Sequence, residues 1–84
     1  MVRIAHAGNV LVPAYVVLCA KGYRVSRTIL GAEQMELWHA EKDGEHFTAP
    51  DTLALLGLVA LYETRGESWQ VDDAQIDEFL RQFP

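Results

Sequence analysis

The chain has 84 residues, half of them apolar, and twelve acidic against seven basic side chains give it a formal charge of −5. A chain of this length buries only about 60% of its unfolded surface, so residues 1–84 are expected to form one small domain around one core. The negative balance disfavours phosphate backbones and anionic membrane surfaces, which removes direct nucleic-acid binding and membrane attachment from the expected functions. A single cysteine, Cys19, leaves no internal disulfide, and no basic and apolar leader opens the chain, so a reducing, cytoplasmic setting is expected.

Met1 to Ala5 alternates weakly, which fits a short edge strand or an ordered arm. Gly8-Asn9 breaks that pattern. Leu11, Tyr15, Leu18 and Cys19 then fall at helical spacing, and Lys21-Gly22 provides a cationic last turn with a glycine stop, so a helix is placed at about 11–21. The β-branched Val10, Val12, Val16 and Val17 support a strand there as the competing reading. Cys19 in this apolar run reads as a buried structural thiol, since a nucleophile would need a base or an activating charge beside it.

From Tyr23 the period changes to two: Tyr23, Val25, Arg27 and Ile29 share one face, with Arg24, Ser26, Thr28 and Leu30 on the other. Gly31-Ala32 turns the chain, and Met35 to Glu41 alternates again. Asp43-Gly44 suits a type I′ hairpin, because that turn needs positive φ at both central residues. The register that follows sets Lys42 opposite Glu45, Glu41 opposite His46, Ala40 opposite Phe47 and His39 opposite Thr48.

Thr48 to Gly66 reads as the organising helix. Thr48 with Asp51 resembles a capping box, Pro50 suits a first turn, and Arg65-Gly66 makes a cationic, glycine-closed end. Leu53 to Tyr62 carries no charged or amide side chain, so the helix is apolar all round and Leu53, Leu55, Leu56, Leu58, Val59 and Leu61 are expected to be mostly buried. It is too short to span a membrane, which takes about 20 apolar residues. After a short connection through Trp69, Asp72 and Gln75 form another capping box. Ile76, Phe79, Leu80 and Phe83 recur at i, i+3, i+4 and i+7, predicting an amphipathic helix packed on the core. The fold class is therefore α+β: an N-terminal helix, a three-stranded antiparallel meander, a long central helix and a C-terminal helix, with the helices on one sheet face.

His39, Glu41 and His46 share a face in this register, and two imidazoles with a carboxylate can hold a metal ion; a solvated polar face is the simpler reading, and a one-residue slip would separate them. Arg24 with Thr28, and Arg27 on the other face, could meet an anion but more often pair with carboxylates. No nucleophile elbow, phosphate-binding loop, paired C-x-x-C or H-E-x-x-H occurs, so neither an enzyme nor a cofactor is expected. Asp72, Asp73, Asp77 and Glu78 make an acidic surface able to steer a basic partner, with Trp38 as an aromatic contact. A small acidic domain of this kind is expected to be a protein-binding module, of the sort found among inhibitors, immunity proteins and antitoxins. The alternatives are a structural or regulatory homodimer, motivated by the all-round apolar helix with Gly57 and Ala60, and a small metal-binding protein.

Overall fold

All 84 residues are described by a computed structural model. In chain order the elements are α1 (Leu11–Ala20), β1 (Arg24–Leu30), β2 (Met35–Lys42), β3 (Glu45–Ala49), α2 (Thr52–Arg65), a single 3₁₀ turn (Gly66–Ser68) and α3 (Asp73–Gln82). The α+β class and the antiparallel β1-β2-β3 meander expected from the sequence are the ones found. Met1–Asn9 forms no strand and lies exposed.

The β2–β3 hairpin has the expected register: Lys42 faces Glu45, Glu41 faces His46, Ala40 faces Phe47 and His39 faces Thr48. Its turn explains why. Asp43 and Gly44 hold φ of 51° and 82°, the left-handed pair a type I′ connection requires. Lys42 and Glu45 nevertheless turn to other partners. Lys42 Nζ donates to the Lys21 carbonyl at 2.8 Å, while Glu45 accepts from the Tyr62 hydroxyl at 2.9 Å, so each clips the sheet to a helix.

One face of the sheet carries both α1 and α2. Thr52 Oγ1 donates to the Leu11 carbonyl at 2.6 Å, and Lys21 pairs with Glu63 at 2.9 Å, so the two helices run side by side in the same direction. Between them and the sheet lies the core: Leu18, Tyr23, Ala40, Ala49, Leu55 and Val59.

Three expectations about α2 and α3 need correction. Thr48 does not begin α2; it pairs with His39 in the ladder, Pro50 keeps Ala49 extended, and the cap is Asp51, whose carboxylate accepts from the Ala54 amide at 2.7 Å. Asp51→Ala is expected to cost about 1 kcal/mol in urea denaturation. Second, α2 is covered on one side only: Leu55 and Val59 are buried, Leu56 and Leu58 half-buried, and Leu53 and Leu61 each remain 40% exposed. One sheet can cover one side of a helix. Third, α3 forms behind its expected Asp72–Gln75 capping box, yet it buries none of its residues, so the C-terminal helix is not packed on the body of its own chain.

Candidate functional site

Two surfaces compete for the functional role: the uncovered polar face of the sheet and the outward side of the helices. On the sheet, strand alternation places Arg24, Thr28, His39, Glu41, His46 and Thr48 together, away from the helices. Their side chains form a connected run. Thr28 Oγ1 lies 2.9 Å from His39 Nε2, His39 Nδ1 lies 3.1 Å from His46 Nε2, and Arg24 donates to Glu41 Oε2 at 2.7 Å. Of the two facing imidazole nitrogens, one donates and the other accepts.

Glu41 addresses the far side of His46, with Oε1 at 4.0 Å from Nδ1, and so does not point into the gap between the rings. The two imidazoles come together as expected but Glu41 does not join them at one point, and two ligands fall short of a closed four-coordinate site. Arg24 accounts for Glu41: its hydrogen bond holds the carboxyl below the ordinary value of 4.5, helped by the nearby positive charge and opposed by partial burial. The pair therefore favours the folded chain above the ordinary carboxylate range, and that contribution fades as pH falls through the lowered pKa. In Arg24→Ala the Glu41 titration, followed by carboxyl carbon NMR, is expected to return toward 4.5. An unmoved titration would show that another group holds the carboxylate.

Trp38, which the sequence offers as a partner contact, lies on the opposite face of β2 from His39 and belongs with the core side. It is half-buried, Arg27 sits over its ring at 5.6 Å, and with Leu11, Val12 and Tyr15 it lines an open hollow of about 380 Å³. Arg27 itself pairs with Glu36 at 3.2 Å, leaving neither strand arginine free for an anion. Of the acidic set, Asp72 is engaged as the α3 cap, accepting from the Gln75 amide at 2.9 Å. Glu78 pairs with Arg81, and Asp73 and Asp77 are exposed, as is all of α3.

The helical side was not anticipated in full. Ala14 and Leu18 are the only buried residues of α1, which leaves Val12, Val16, Cys19 and Ala20 outward at i, i+4, i+7 and i+8. Cys19 is thus exposed, not buried, because it lies about 100° round the helix from Leu18. Beside this stripe α2 displays Leu53, Gly57, Ala60 and Leu61 at the same spacing, all exposed. No charged side chain occurs between Leu11 and Ala20 or between Thr52 and Tyr62, so the two stripes make one uncharged apolar surface.

No known protein family, curated protein or solved structure matches the chain. That leaves the apolar outer side of α1 and α2 as the feature to be explained. The signal was present in the sequence as ten residues of α1 without a charge or amide, in a layout that gives each helix one covered side. No helix of the chain is long and apolar enough to cross a membrane.

Proposed function

We propose that the chain is a non-catalytic protein-binding module whose working surface is the apolar outer side of α1 and α2, covered by another polypeptide. The supporting observation is α1, where Val12 and Val16 are 58% and 56% exposed in a helix with no polar face to turn to water. Contiguous apolar surface of this kind on a water-borne domain marks an interaction site. The absence of catalysis is part of the reading. The neighbouring Cys19 raises the Tyr15 pKa above its ordinary value of 10.0, so the phenol offers the thiol no base.

Cys19 also supplies the test, because it stands on the outer side of α1. In native extract its thiol is expected to react with a maleimide much more slowly than in the urea-unfolded chain, and Val16→Lys is expected to restore fast labelling. Native labelling at the unfolded rate would mean that nothing covers this surface. The reading is for a cytoplasmic protein, in keeping with a lone thiol that has no disulfide partner. Its narrower form, an inhibitor or immunity-type protein, draws support from Asp73 and Asp77, which are free to steer a basic partner. Reversing both to Lys is then expected to slow association at low salt, measured by stopped flow.

A further inference from the structure

We infer that two copies of this chain pair by exchanging α3: the Ile76, Phe79, Leu80 and Phe83 stripe of each seats on the outward stripes of α1 and α2 of the other. This rests on the reading that a polypeptide covers that surface and names the polypeptide. The dimensions of the isolated chain are the first argument. Its radius of gyration is 15.3 Å, against about 12 Å for a compact domain of this length. Its accessible surface is 6707 Å², against about 5,000 Å² for a compact monomer of 9.4 kDa. The exposed Met1–Asn9 arm contributes to this excess together with α3 and the outward sides of α1 and α2. A stable interface needs about 800 Å² from each partner.

α3 itself lacks a covering surface. It is a helix of 10 residues that buries none of them, and isolated helices below about 12–15 residues are marginal in water. Its apolar stripe needs a surface. Phe79 and Phe83, with ring centres 5.3 Å apart, are 61% and 59% exposed, and Leu80 is 55% exposed. The chain carries one surface that suits them. The outward side of α2 has Gly57 at its centre, where an added Cβ would touch nothing, and Ala60 beside it, leaving a shallow floor for aromatic rings.

Third, donor and acceptor lie on the same chain and approach only at one end, where Ile76 shares an open hollow with Leu61 and Trp69, while Phe79, Leu80 and Phe83 stay exposed. Gly66 at φ 69° and the Arg65 Nε bond to the Trp69 carbonyl at 3.0 Å set the exit from α2, and beyond this junction α3 runs clear of the body. A surface that accepts the α3 of a copy, from a chain that offers its own α3 in return, closes into a two-fold pair with nothing left over. The centre of the stripe, Ile76, Phe79, Leu80 and Phe83, carries no charge. Asp77, Glu78 and Arg81 lie off the stripe, and Asp73 stands at its edge in the first turn of α3, where the acidic side remains open to a further partner.

Sedimentation equilibrium with three proteins tests the exchange. The natural chain is expected at twice 9.4 kDa, whereas Phe79→Asp (donor) and Val16→Asp (acceptor) are each expected at 9.4 kDa with the far-ultraviolet signal of the sheet retained. Both positions are more than half exposed, so neither change disturbs the core. Mixing the two variants is expected to restore pairing at lower affinity, because one intact donor then meets one intact acceptor. A dimer indifferent to Phe79→Asp, or a mixture that stays monomeric, would overturn the exchange. A natural chain that sediments as a monomer and binds an apolar fluorescent dye would overturn pairing with a copy while leaving the protein-binding reading in place. A dye-silent compact monomer would overturn both, with α3 closed on its own chain.

Discussion

Leu55→Ala is expected to destabilise the fold by about 2–5 kcal/mol, the range for removing a leucine from a site that cannot collapse around the gap. Leu55 is fully buried in a core of only six residues, between β-sheet residues Ala40 and Ala49 and the helical Leu18 and Val59. A domain of this length has about 4–13 kcal/mol of total stability, so one such loss leaves a large unfolded fraction. Leu53→Ala and Leu61→Ala supply the control, since those side chains point outward and stay 40% exposed. At low protein concentration each is expected to cost about 1 kcal/mol or less. Urea denaturation followed by circular dichroism measures all three. If Leu55→Ala costs no more than Leu53→Ala, α2 is not seated on the sheet as described.

That contrast also marks what could be read from the residues. The hairpin was legible because Asp43-Gly44 admits one favoured turn, and the turn then dictates every pair from Lys42–Glu45 to Trp38–Ala49. The α3 cap was legible because Asp72 and Gln75 act locally. The start of α2 was not. Thr48 and Asp51 both suit a cap, and the choice is made by the ladder, which takes Thr48 into β3. Apolar composition showed that α2 avoids water but not how many layers cover it. In α1 the helical spacing picked out Leu11, Tyr15, Leu18 and Cys19, of which Leu18 alone is buried, because a helix apolar all round does not mark its covered side. For the polar sheet face, register brought His39, Glu41 and His46 together, but side-chain rotation decided the chemistry. Glu41 turns to Arg24, a neighbour across the β1–β2 ladder, and so leaves the imidazole gap.

The amides of Ile76 to Gln82 are expected to report the exchange of α3 directly, through hydrogen exchange at two protein concentrations. Nothing within one chain protects them beyond a short helix, whose own opening costs almost no free energy because no side chain of α3 is buried. Docked on a second copy, the same helix opens only after the pair separates or its stripe lifts away. By mass action a partner present at 100 times its dissociation constant adds about 2.7 kcal/mol, or roughly a 100-fold slowing of exchange. Amides of β2, which sit in the centre of the sheet, carry the protection of the whole body and serve as the internal reference. Dilution is therefore expected to release α3 well before β2, and Phe79→Asp to release α3 at every concentration while leaving the body folded. Protection of α3 that is strong and independent of concentration would place its partner surface within the same chain. Fast exchange at all concentrations would show that α3 has no partner of its own kind, and the stripes of α1 and α2 would then await a different polypeptide.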